Sequence, residues 1–168
     1  VTHRIVTRAG VEARYEDVVT RFEDLYHGDG QRPGLNERET LLADPALLRA
    51  LAGRYRLGIV TGRPRRDALA FLERFGLDEL FGAVVTLDDA APKPDPEPVR
   101  LALAQLGAES AWMVGDNPDD ARAARAAGVL PLGILPPNFD DAVPASGLID
   151  AGCARILDRL EDLQELLP

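Results

Sequence analysis

The sequence predicts an α/β protein built on a doubly wound parallel sheet. Three observations carry this. Short apolar runs at 57–61, 83–87, 111–115 and 130–135 alternate with helical stretches at 65–75, 96–106 and 118–127, and that alternation means a parallel sheet with helices on both faces. The runs are apolar throughout, as strands covered on both faces are. The helical stretches stop at Gly76, Gly107 and Gly128, where a residue without Cβ suits a helix end.

The elements follow in order. Over 12–26, Tyr15, Val18, Val19, Phe22, Leu25 and Tyr26 recur at helical spacing, and Gly28 is a suitable stop. Residues 28–43 read as loop, with Gly-Asp-Gly and Arg-Pro-Gly. Asp44-Pro45 reads as an N-cap followed by Pro at the first helical position, opening a helix to about Arg54. The strand–helix rhythm then begins. A short strand at 155–157 and a closing helix at 160–167 complete it. The first 44 residues lack the rhythm and read as a separate helical piece, with an α/β core over 45–168.

Composition narrows the function. The chain has 168 residues, 46% apolar, and a formal net charge of −9. A nucleic-acid binder needs a positive face for the phosphate backbone, so that class is excluded. Docking on an anionic membrane is excluded on the same ground. The single cysteine, Cys153, allows no internal disulfide and reads as a small apolar residue. Neither a secretory leader nor a long apolar run is present, and the expected compartment is the cytoplasm. His3 and His27 read as surface residues. Of the 19 basic residues only Lys93 is a lysine. A lysine kept among arginines suggests a place where a compact point charge is needed rather than a planar fork.

Ligands of an open parallel sheet bind beyond the carboxyl ends of its strands. Three groups satisfy that geometry. Thr61 ends the first strand, and Gly62 after it offers a backbone N–H that a ligand can approach. Lys93 follows the second strand. Asp116 ends the third, with Asp120 four residues on. A hydroxyl, a free N–H, a helix N-terminus and an ammonium suit an anion, whereas carboxylates suit magnesium. A site for both suits phosphoryl transfer. Each piece also has a plain structural reading. Thr61-Gly62 could be an ordinary turn, Lys93 a solvated loop residue, Asp116 or Asn117 a helix cap, and Asp120 a first-turn acid favoured by the helix dipole.

Together these segments resemble the motifs of the haloacid dehalogenase-like superfamily, specifically its first subfamily with a helical cap. IVTGRP (59–64) resembles the second motif, KPDPEP (93–98) the third, and MVGDNPDDARAARAAG (113–128) the fourth. The resemblance covers about 45–168 and implies a Rossmann-like core. It further implies a magnesium-dependent phosphatase acting on a small phosphorylated metabolite through a phospho-aspartate intermediate. Thr61, Gly62 and Lys93 would hold the phosphoryl group. Asp116 would bind Mg2+, with Asp120 as second ligand or support, and Asp119 is a weaker candidate. Residues 1–44 would be the latter part of a cap that selects the substrate.

One departure stands against this pattern. The first motif, Asp-x-Asp-Gly at a strand end, is absent. Asp88-Asp89, Asp95, Asp140-Asp141 and Asp150 lack the pattern or the order, and Asp29-Gly30 follows a helix. In the family that motif supplies the nucleophile and the central strand of the sheet. Its loss would leave two inner strand edges unpaired. A segment upstream of Val1 is therefore expected. Otherwise another strand fills the gap, with RIVT (4–7) as the N-terminal candidate, or a second copy of the chain supplies one. The alternative function is an inactive relative that binds phosphate and magnesium without turnover. A phospho-acceptor receiver domain fits the motif order poorly. Exposed edges would favour a homo-oligomer.

Overall fold

The computed structural model of the protein describes residues 2–135 and 145–167, with side chains from residue 5 onward. Asp140-Asp141 and the side chain of His3 lie outside the described residues. The chain divides into two compact units, Val1–Leu42 and Ala43–Pro168.

The first unit holds helices α1 (Thr2–Arg8) and α2 (Tyr15–His27). Residues 4–7 are therefore helical, which corrects their candidacy as a strand. A lone four-residue strand satisfies no backbone group unless it finds a partner, whereas a helix bonds to itself; Ala9 N donates to Ile5 O at 3.0 Å. Helix α2 starts three residues later than its apolar spacing suggests. Glu16 and Asp17 sit in its first turn, where acids suit the dipole. The Arg14 guanidinium donates to both Asp17 carboxylate oxygens at 2.9 and 2.8 Å. Phe22 stacks on Tyr26, and His27 pairs with Glu23 at 3.2 Å. No residue of α2 is buried. Gly28 ends it with a positive φ of 85°, and Asp29 closes the next turn by accepting from Gln31 N and Arg32 N.

The second unit opens on α3 (Pro45–Ala52), whose cap is Asp44 accepting from Ala46 N at 2.8 Å. Its strands are β1 (Leu57–Val60), β2 (Phe81–Val85), β3 (Trp112–Gly115), β4 (Leu130–Ile134) and β5 (Arg155–Leu157). Between them run α4 (Arg65–Arg74), α5 (Glu97–Leu106), α6 (Pro118–Ala126) and α7 (Ala145–Asp150), and α8 (Leu163–Leu166) closes the chain. All pairings are parallel, in two groups: β1 with β2, and β3–β4–β5 in that order. Strand β2 begins and ends two residues before its apolar run. Thr86 leaves the ladder because its N–H and hydroxyl both donate to Asp89. The closing helix is shorter than its pattern. Asp162 accepts from Asp158 N and Arg159 N, and a 3₁₀ turn at Leu160–Asp162 precedes α8. Helix α7 has no clear signature in the sequence.

Two apolar clusters tie the strand groups together. Leu47, Leu51, Leu132, Leu157 and Leu163 form one, against which Leu57 of β1 and Val114 of β3 both pack. Val99, Ala123, Ala124 and Val129 form the other, which takes Val60 of β1 and Met113 of β3. Helices therefore cover both faces. Burying each such Leu or Val contributes about 1.5–3 kcal/mol. The buried strand residues lie on β2, β4 and β5; none of β1 or β3 is fully buried. Among the described residues β1 pairs only with β2, and β3 only with β4. No described helix is long and apolar enough to cross a membrane.

Candidate functional site

The site forms beyond the carboxyl ends of β1 and β3. Thr61 N donates to Val85 O at 2.9 Å, which carries the β1–β2 ladder one residue past β1. The Thr61 hydroxyl oxygen then accepts from Arg63 N at 3.2 Å, a local turn that sets the direction of its side chain. Gly62 is exposed, and a Cβ built there would meet nothing within 4 Å.

Lys93 reaches this strand end from the loop after β2. Its Nζ donates to Val60 O at 3.0 Å and pairs with Asp120 Oδ1 at 2.6 Å. The pair is mostly buried, with 18% of the Lys93 side chain and 11% of the Asp120 side chain exposed. The lysine thus links the end of β1 to the helix after β3.

Asp120 is held from its own side as well. Asn117 caps α6 by accepting from Asp119 N at 3.0 Å, and Asp120 Oδ2 accepts from Asn117 N at 3.2 Å. This is a reciprocal capping box. Gly115 makes it possible, because a Cβ there would come within 2.6 Å of Asp120 Oδ2. The plain structural roles suggested for Asn117 and Asp120 are thus present, and for Asp120 they coexist with the lysine contact.

Asp116 lies just beyond β3, exposed. Asp119 turns outward to Arg122 at 2.8 Å. No group of three or more His, Cys, Asp or Glu that could hold a metal is found among the described residues. Magnesium often uses only one or two protein carboxylates, with water and phosphate oxygens completing its six ligands. Asp116 fits such a ligand, since its carboxylate is open to solvent. Asp120 fits a supporting role, since each of its oxygens already accepts a bond.

Sequence reasoning missed a second set of contacts beside Thr61. Asp89 Oδ1 accepts from the Arg65 guanidinium at 2.6 Å, while its Oδ2 accepts from Thr86 N and Thr86 Oγ1 at 2.8 and 2.6 Å. The Arg65 bond, followed by those from Thr86, draws the Asp89 carboxyl from its ordinary 3.8 down to about 2. Asp88 Oδ2 accepts from Arg65 N at 2.7 Å. Two acids just past a strand end were a visible signal of a role there. Cys153 is half-buried; burial first, and the Asp120 carboxylate second, push its thiol pKa up, which suits an unreactive residue.

Comparisons with known proteins place the chain in a family. A family model described as haloacid dehalogenase-like hydrolase matches residues 5–134. The pyrophosphatase PpaX of Bacillus velezensis is 40% identical over 130 residues, covering 76% of this chain and 52% of that protein. An imidazoleglycerol-phosphate dehydratase of Phytophthora nicotianae is 46% identical over 146 residues, covering 82% of this chain and 32% of that protein. The chain therefore spans about a third of one of these curated relatives and about half of the other. A crystal structure from Bacteroides fragilis, described as haloacid dehalogenase-like, superposes with a TM-score of 0.74 at 25% identity, covering 96% of this chain and 76% of that one. With the family model matching most of its length, the chain belongs to the haloacid dehalogenase-like hydrolase family.

Proposed function

We propose that this chain is the phosphate-handling part of a magnesium-dependent phosphatase acting on a small phosphorylated metabolite. The observation that carries the reading is Lys93, whose ammonium lies at the end of β1 beside Thr61 and against Asp120. Thr61, the Gly62 N–H and Lys93 offer a hydroxyl, an amide and a full positive charge to phosphoryl oxygens. Asp120 orients the lysine. Asp116 would hold Mg2+, which when bound supplies charge stabilisation to the transferring group.

The nucleophile of the phospho-aspartate mechanism would come from an Asp-x-Asp-Gly segment outside these 168 residues. Its strand would enter between β1 and β3, whose ladders each have one partner. Residues 1–44 would form part of the cap. The enzyme would work in the cytoplasm, and a diphosphate is worth testing because the Bacillus relative is a pyrophosphatase.

The test is hydrolysis of an aryl phosphate with Mg2+ by the full-length gene product. Lys93→Ala and Asp116→Asn should each lower kcat by about a hundredfold or more. Unchanged turnover in both variants sinks the proposal. A second reading is an inactive phosphate- and magnesium-binding relative. It predicts phosphate-dependent stabilisation with no turnover at any chain length.

A further inference from the structure

Thr61 and Lys93 sit on different loops, 32 residues apart in sequence. A pair of groups that grips one anion must be held at a fixed separation. Backbone bonds begin this work. Thr61 N donates to Val85 O at 2.9 Å, and Leu87 N donates to Arg63 O at 3.1 Å. Both lie at the root of the loops. Beyond them the loop that carries Lys93 must run on from residue 88 without a ladder.

Arg65 and the two acids take over at that point. Arg65 is the first residue of α4. Its N–H is held by Asp88 at 2.7 Å and its guanidinium by Asp89 at 2.6 Å. The same guanidinium nitrogen also donates to Val84 O at 3.4 Å. Main chain and side chain of one residue are thus bound by consecutive carboxylates of the other loop, which fixes orientation as well as distance. The second Asp89 oxygen ties the same carboxylate to Thr86, which is 2% exposed at the end of β2. On the far side of Lys93 the loop is fastened again. Glu97 Oε2 accepts from Ala91 N at 3.2 Å, and Asp95 Oδ1 accepts from Glu97 N at 2.8 Å.

We infer that Arg65 and Asp89 are positioning residues, and that their pairing sets the separation between the Thr61 hydroxyl and the Lys93 ammonium. The inference rests on the reading of Thr61 and Lys93 as phosphoryl-binding groups. The alternative is a pair that only stabilises the fold. Its exposure argues against that: the Arg65 side chain is 43% exposed and that of Asp89 21%, and pairs so open to solvent add little stability. One guanidinium nitrogen serves both Asp89 and Val84 O, so the planar group is set in direction as well as distance, which a freely rotating lysine ammonium is not.

The experiment measures the affinity of the full-length protein for inorganic phosphate by calorimetry, well below the thermal midpoint of each variant. The midpoint is recorded separately. Arg65→Ala and Asp89→Asn should weaken phosphate binding about tenfold while moving the midpoint little. Arg65→Lys, which keeps the charge and loses the fork, should recover part of the affinity. If Arg65→Ala does not fold, Arg65→Lys and Asp89→Asn carry the test. Variants that bind phosphate as the wild type does, with or without a lower midpoint, overturn the positioning role. A wild type that binds no phosphate overturns the phosphate-binding reading itself, and the inference falls with it.

Discussion

Strand β1 meets the site through two loops, whereas β3 meets it through a helix. On the β3 side the contacts that place the Asp120 carboxylate are local, apart from its pairing with Lys93. Gly115, Asn117 and Asp120 lie within six residues, and the capping box fixes the carboxylate with bonds from its own helix start. On the β1 side the contacts are remote. Arg65 reaches Asp88 and Asp89 across more than 20 residues, and Lys93 reaches Val60 O across 33. The difference is one of how position is obtained. The helix side obtains it from close approach of backbone to side chain, and the loop side from charged side chains that span a gap. Local devices form with the helix itself, whereas remote ones depend on the whole sheet being in register.

This contrast can be tested from its strongest point downward. Lys93→Ala removes the cation paired with Asp120 and leaves a carboxylate only 11% exposed without it. Urea denaturation should show a loss on the order of 3 kcal/mol. Asp116→Asn, at an exposed position outside that pair, should cost less than about 0.5 kcal/mol in the same assay. Equal losses would mean that the pair is not what holds the two strand ends together.

The two glycines sharpen the comparison next. Gly115→Ala forces Asp120 aside and should cost about 2 kcal/mol. Gly62→Ala places its Cβ in open space and should change stability by less than about 0.5 kcal/mol. Denaturation midpoints of the two variants decide this. A large loss at Gly62 would show that the loop side is as tightly packed as the helix side.

The smallest effect is in acid. The folded-state pKa of Asp89 is depressed, held there by Arg65 and Thr86. Its contribution is present in full above the ordinary carboxyl pKa of about 4 and is lost as pH falls toward about 2. Asp89→Asn lacks this contribution at every pH. The stability gap between wild type and variant should therefore close between about pH 4 and pH 2. Asp88 accepts from the backbone N–H of Arg65 rather than its guanidinium, so Asp88→Asn is the control for general charge loss. A gap that stays constant through that range would mean that the Arg65 bond does not depend on the ionised carboxyl.

Much of this was legible in the sequence, and unevenly so. The Asp44-Pro45 helix start, the strand at 155–157 and the helix-ending glycines follow from local chemistry, which sequence carries directly. Gly115-Asp116-Asn117 and Asp120 were legible for the same reason. The Arg4–Thr7 run misled because β-branched residues suit a strand only where a neighbour exists to pair with them. The ends of β2 were misplaced because Thr86 bonds to a side chain rather than to a strand. The Arg65–Asp89 contact was illegible, since nothing within either segment names its partner.

The lone lysine has a chemical consequence. These 168 residues carry a single ε-amine, and it lies against Asp120 and the end of β1 with most of its side chain covered. Amine-directed reagents thus have one side-chain target within them, inside the candidate site. The rate at which that adduct appears by mass reads out how often the strand ends part, and a bound anion should slow it.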